Sequence, residues 1–424
     1  EAKDHKVLKK WVRSPFFNQR EHVVKLFDFL HAGATKNGKP PERTAAFAYL
    51  WPQLPYDDHK LRLSMSLLLK CLEQYLLWKQ VNKEEVAAQL KLSEAYRELG
   101  LDRHFVKSMK EAKRLQQSSS IRDAHYFQNQ HAFFLEQYHF KAQQNRMKGL
   151  PLEDVQNNLD LAYLAAKLKQ SCSMLSHQAI YKKEYTFGML PEVLRFVEAN
   201  DYLRYPAIAV YYYAYQAFRH EAHENYFREF KAALFTHQAY FPAAELRDLF
   251  LLATNYCIQQ LNKGLTLYAK EGLDIYKEGL KNDLLLRNGI LSNFTYTNIV
   301  AKAILSKDYE WANTFVSVYR QHLEPQHQDS SYFYNLAWLK YEQQEYGEAL
   351  DLLNRTSFND LLLNISAKTI AMKIYYELEA FDLLYSHLEA MRTFLHRKKM
   401  MAYHKESYAN TIKFVRKILD LPPS

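Results

Sequence analysis

The stretch FYNLAWLKYEQQEYGEALDLL, residues 333–353, decides how this chain folds. Phe333, Leu336 and Ala337 recur at helical spacing, a short polar break follows, and Tyr346, Ala349 and Leu353 resume the pattern. The same skeleton stands 37 residues earlier: Tyr296, Ile299 and Val300, then Tyr309, Ala312 and Val316. A period of that size, built from two helical patterns and a turn, is the signature of stacked helix pairs. Such arrays present binding surfaces more often than enclosed reaction sites.

The rest of the chain agrees with this reading. At 424 residues it exceeds what one compact core usually fills, so an elongated array or several domains is expected. Its 48% hydrophobic share, with 32 Tyr and 25 Phe, excludes a disordered chain. Only 10 Gly and 12 Pro are present, fewer than sheets joined by tight turns would use. No proline falls between Pro55 and Pro151, while Pro191, Pro206 and Pro242 each stand where a helix would begin. The pattern supports on the order of 20 helices and no strand. Cys71, Cys172 and Cys257 lie scattered on apolar helical patterns, which suits buried thiols in a reducing compartment, the cytoplasm. No run of about 18 uncharged apolar residues occurs, so no membrane partner is expected. The opening EAKDHKVLKK is too charged for a signal peptide.

Residues 1–80 read as a separate three-helix cap or module, and residues 81–424 as an α-solenoid. Val23, Val24, Leu26, Phe27 and Leu30 mark a helix over Glu21–His31 that the linker GATKNGKPP (33–41) should stop. Pro41–Leu50 is a short second helix. Asp57 is placed to cap a third, running to about Lys79, with Leu61, Met65, Leu68, Leu72 and Leu76 on one face. His59, Arg62, Ser66, Lys70 and Glu73 fall on another. Asn82 is placed to cap the next helix, Gly100 to end it, and Asp102 to start its partner. Net charge is +9, and residues 1–80 alone hold 14 Lys/Arg against 8 Asp/Glu. The first fifth of the chain is therefore where a polyanion would bind.

Residues 333–353 resemble a tetratricopeptide repeat. In that likeness Leu336, Ala337, Tyr346, Ala349 and Leu353, and Tyr309 and Ala312 before them, carry the packing, the alanines allowing two helices to approach closely. Lys340 stands where the family has Tyr, Thr356 where it has Ala, and Leu384 in a weaker third copy where a small residue belongs. SPFFN, LRDLFLLATNYCIQQLNKG and GILSNFTYTNIVAKAI resemble a bacterial family of helical-repeat proteins without an assigned activity. The likeness implies an all-α, right-handed α-α superhelix of tetratricopeptide-like pairs. The short helix ending LWP, with the long helix after it, resembles the winged-helix module of some bacterial transcriptional activators. That likeness makes Arg62, Ser66 and Lys70 candidate nucleic-acid contacts in a major groove. The chain departs from it in having no β-wing before residue 82.

Catalytic and metal motifs are wanting. His220-Glu221-Ala222-His223-Glu224 brings its second histidine one residue too early for a zinc-protease helix, so a helix end or interhelical turn is expected. The cysteines lack C-x2-C spacing, and there is no G-x-G-x-x-G, no Gly-Lys-Ser/Thr and no G-x-S-x-G. Tyr211, Tyr212 and Tyr213 point about 100° apart on a helix and suit core packing, with one at the surface. The segment HRKKMMAYHKESYANTIKFVRK reads as a solvated last helix. No catalytic residue, metal or cofactor is expected. The reading is a non-enzymatic, cytoplasmic scaffold that holds a peptide or partner protein, with a DNA-binding regulator as the alternative.

Overall fold

The computed structural model describes residues 2–37, 42–144, 149–181, 183–221, 223–355, 360–397 and 402–420. Among these residues there are twenty α-helices and no strand. A single bridge, Arg287 to Ile290, closes a tight turn at Asn288 and Gly289, both at positive φ. The chain divides into two compact units, Glu1–Ser120 with Ala124–Ala162, and Ile121–Asp123 with Tyr163–Ser424.

The first unit begins with α1 (Ala2–Val12), α2 (Glu21–Asn37), α3 (Arg43–Leu50) and α4 (Asp58–Lys83). Val12, Val23, Leu26, Phe47, Leu61 and Leu68 form the core they share. The helix α1 precedes the three that the sequence pattern announces. The α2 helix continues through Gly33, where a stop was expected. One interior glycine costs only about 1 kcal/mol, and the buried Val23, Leu26 and Phe27 outweigh it. Gly38, Pro40 and Pro41 lie outside the described residues, as does Thr356. Asp57 caps α4 as anticipated, its carboxylate accepting from the Lys60 amide at 3.0 Å.

Two expectations for α4 are corrected. Asn82 is not a cap: it lies inside the helix and its Nδ2 donates to the Trp78 carbonyl at 2.8 Å. The next helix starts after Glu84. The buried stripe on α4 is Leu61, Ser64, Leu68, Cys71 and Tyr75, while Met65 and Leu76 are 38% and 60% exposed. Leucines stand on several sides of α4, so apolarity alone does not choose the inward face.

Next come α5 (Glu85–Glu98), α6 (Asp102–Ser118), α7 (Ala124–Gln143) and α8 (Leu152–Tyr181), the last crossing from one unit into the other. Leu90, Phe105, Met109, Ala112 and Phe133 form a second core. The largely buried Arg97–Glu136 pair, Nε to Oε2 at 2.8 Å, joins α5 to α7. Ser93 and Gln89 each donate to the Ser108 hydroxyl at 2.8 Å, which keeps those buried polar atoms satisfied.

The second unit contains α9 (Leu190–Ala199), α10 (Pro206–Arg219), α11 (Glu224–Thr236), α12 (Ala243–Asn262) and α13 (Leu267–Lys281). It goes on with α14 (Asn293–Leu305), α15 (Tyr309–Tyr319), α16 (Gln328–Glu342), α17 (Tyr346–Asn354), α18 (Leu361–Glu377), α19 (Phe381–Arg397) and α20 (Ala402–Leu419). From α10 to α19 the helices form antiparallel pairs, and each pair packs on the next: α10 and α11 on α12, α13 on α14, α14 on α16, α16 on α18. This is the adjacent packing of a solenoid, and the fold is all-α. Pro191 and Pro206 open α9 and α10, and Pro242 immediately precedes α12.

One backbone device recurs in five of the pairs. The first helix ends in a residue at positive φ: Gly100 (68°), Gly264 (88°), Lys307 (57°), Gln344 (65°) and Glu379 (54°). In each, the next amide reaches back five residues to a helix carbonyl: Leu101 to Tyr96, Leu265 to Gln260, Asp308 to Ala303, Glu345 to Lys340 and Ala380 to Tyr375. These bonds satisfy carbonyls that a helix end leaves open. The turn also fixes the packing register. Seven residues before it stand Ser93, Cys257, Val300, Ala337 and Met372. Five after it stand Phe105, Ala269, Ala312, Ala349 and Leu384. All ten are at most 3% exposed. The weaker copy thus seats Leu384 opposite Met372 in the position that Ala349 fills opposite Ala337.

Candidate interaction groove

The α12 helix carries two faces. Leu249, Phe250, Ala253, Tyr256 and Cys257 are buried between the pairs, whereas Asp248 and Asn255 are exposed and Leu251 is half-exposed. Leu251 is the wall common to two cavities, of about 290 and 420 Å3. The smaller lies between α8, α10 and α12, bounded by Lys169, Cys172 and Tyr211. The larger lies towards α14, bounded by Arg247, Arg287, Thr295 and Glu324. Together they form a groove on the side of the first helices of the pairs.

Two residues of the smaller cavity, Lys169 and Tyr211, meet a buried carboxylate behind it. Glu245, 7% exposed, accepts from the Tyr211 hydroxyl at 2.7 Å and pairs with Lys169 Nζ at 2.6 Å. Burial, and then the Glu245 charge, push the Tyr211 phenol well above its ordinary value. Cys172 Sγ donates to the Tyr211 carbonyl at 3.3 Å. Burial holds this thiol far above the thiolate range, so neither group is a base or nucleophile at neutral pH. Asp248 at the rim makes no ion pair among the described residues. In the larger cavity, Arg247 Nε donates to the Leu284 carbonyl at 2.7 Å and anchors the α13–α14 connection. Arg287 is exposed and meets no carboxylate among the described residues. The smaller half thus offers Asp248 beside the aliphatic Leu251, and the larger sets Arg287 and Glu324 around it with the carbonyl-bound Arg247.

The residues singled out in the sequence fall as follows. Ala312, Ala337 and Ala349 are fully buried, Leu353 is 9% exposed, and Tyr309, Leu336 and Tyr346 are half-buried against the same clusters. Lys340 bridges its turn, pairing with Glu345 and, at 2.9 Å, with Glu348. Arg62, Ser66 and Lys70 form one exposed row on α4, with Arg62 held by Asp58 at 2.9 Å. His220 and His223 flank the α10–α11 turn, and Glu221 between them is taken up by Lys263 and Gln259. Ala222 lies outside the described residues. No group of three or more His, Cys, Asp or Glu able to hold a metal occurs among the described residues. Tyr211 and Tyr212 are buried and Tyr213 is half-exposed. The groove was missed in the sequence, because Glu245, Asp248 and Leu251 carry no motif. No helix among the described residues is long and apolar enough to cross a membrane. Comparison with known protein families, with curated proteins and with solved structures finds no match.

Proposed function

We propose that this chain is a non-enzymatic interaction protein that holds a peptide segment of a partner in the groove beside α12. The observation that carries this reading is the pair of cavities sharing Leu251, one rimmed by Asp248 and the other by Arg287. Recognition by a helical-repeat groove rests on a few anchors placed along an open surface. A segment with an apolar anchor against Leu251, a basic residue towards Asp248 and an acidic one towards Arg287 fits that arrangement. We take the pairs to be tetratricopeptide-like with a right-handed superhelical sense, on the repeat skeleton of residues 296–353. We place the protein in the cytoplasm, as three free, buried cysteines suit a reducing compartment.

The alternative, a DNA-binding regulator reading through α4, has the exposed row Arg62, Ser66 and Lys70 in its favour. Asp58 competes for Arg62, and the exposed Leu63 and Leu69 interrupt the row's surroundings, so the groove is preferred. The test is affinity capture from the native host with wild type and with Leu251→Glu. Half-exposed Leu251 tolerates the change in the fold, so loss of one co-purifying protein with unchanged melting supports the reading. Equal capture by both proteins refutes the groove. Co-purifying nucleic acid that is lost steeply with salt would favour α4 instead.

A further inference from the structure

The last helical hairpin of the second unit, α19 with α20, leaves an open cleft of about 400 Å3 between its helices. That volume lies in the ~300–1,000 Å3 range of small-ligand sites. Its floor is aliphatic: Leu395 and Ile412 are each 5% exposed, and the small side chain of Ala409 leaves the space open. Its rim is cationic: Arg392 reaches in from α19, and Lys405, Lys413 and Arg416 from α20. Among the described residues no carboxylate lines it. Glu389 pairs with Arg416, but Arg392, Lys405 and Lys413 make no ion pair among the described residues.

Like charges gathered over an apolar floor repel one another, and an anion placed among them relieves that repulsion. We propose that this cleft binds a small organic anion with an apolar body, a hydrocarbon chain bearing one carboxylate. The chain lies on Leu395, Ala409 and Ile412, and the carboxylate meets Arg392 and Lys413. Inorganic phosphate would leave the floor uncovered, and a neutral hydrocarbon would desolvate the cations without pairing them. A second copy of this hairpin would bring the same charges face to face. The site is separate from the α12 groove and does not depend on it.

The test is calorimetric titration of the full chain with decanoate below its micelle-forming concentration, alongside decanol and acetate. One saturable site for decanoate is expected, with decanol and acetate each at least about tenfold weaker, since each lacks one half of the recognition. Arg392→Gln with Lys413→Gln should weaken decanoate about tenfold or more. Ala409→Leu, at an exposed position, fills the cleft and should abolish binding while the melting temperature stays unchanged. Equal binding of decanol, decanoate binding that survives Ala409→Leu, or no saturable site would each overturn the proposal. So would an amphipathic peptide with Leu at i, i+3, i+4 and i+7 and Glu between them that displaces decanoate and binds more tightly, since the cleft would then dock acidic helices.

Discussion

Replacing Lys307, Gln344 and Glu379 by glycine, singly and together, should stabilise the second unit. Each holds a φ between 54° and 65° at the end of the first helix of a pair. There an L side chain costs roughly 1–2 kcal/mol relative to a right-handed conformation. Glycine escapes that cost but loses about 0.5–1 kcal/mol more backbone entropy on folding. The net gain is about 0.5–1 kcal/mol per site. The three turns belong to different helix pairs and share no partner, so the gains should add to roughly 1.5–3 kcal/mol. For a unit of this size that is roughly 3–12 °C in melting temperature, read by circular dichroism at 222 nm. The converse substitutions, Gly100→Ala and Gly264→Ala, isolate the backbone effect. A Cβ at either position meets nothing within 4 Å, so only the strained φ can lower stability. A triple-glycine variant that melts at or below wild type, or a neutral Gly264→Ala, would refute the reasoning and with it the shared turn.

Other outcomes follow from packing and burial. Within α17, Ala349→Leu should destabilise by about 1–3 kcal/mol because it overfills a fully buried seam. Two residues away, Gly347→Ala should stabilise by about 0.5–1 kcal/mol, its Cβ entering open space; equal melting temperatures for the two would mean the register is misplaced. Lys302 is 4% exposed, with Nζ 5.7 Å from the Tyr276 ring centre and no carboxylate partner among the described residues. Burial holds its pKa below the ordinary 10.5. The folded state therefore disfavours the proton, a cost present in full below the folded pKa and fading as pH rises towards 10.5. Lys302→Met should be more stable than wild type at pH 7, by on the order of 1 kcal/mol, and urea melts should show that advantage shrinking by pH 10. Burial raises all three thiols, Cys257 to about 12, so a disulfide reagent at pH 8 should label none until denaturant is added. Fast labelling of the native protein would show a cysteine exposed by local opening.

The fold was legible where residue type and backbone geometry point the same way. Asp57 announces its helix because a carboxylate before an apolar run is the simplest way to satisfy a first-turn amide. Gly100 announces its turn for the same kind of reason. Lys307, Gln344 and Glu379 adopt that turn without glycine, so the device is silent in the sequence and only the five-residue back-bonds reveal it. The buried pair positions behave alike. Ser93, Cys257, Val300, Ala337 and Met372 occupy one place in the register, yet no residue class unites them. The repeat is therefore regular in geometry and irregular in side chains. Only the copies around Ala312 and Ala349 stay close enough to a common pattern to be read directly. On α4 the difficulty was reversed. Leucine stands on several sides, and the inward face mixes Leu61 and Leu68 with Ser64, Cys71 and Tyr75, so no single residue type marks it.

The groove was illegible for a different reason. Its walls come from Lys169, Tyr211, Leu251 and Arg287, four residues spread over 118 positions and brought together only by stacking. A stacked array sets such residues side by side through its pair register. A one-residue shift at any intervening turn would rotate Leu251 or Tyr211 by about 100° out of the groove. The positive-φ turns and the buried residues beside them hold that register within the pairs that carry them. Of these turns Gly264 falls between the walls of the groove, after α12, and it fixes how α12 meets α13. A turn variant that keeps the fold while changing capture through Leu251 would expose that link directly.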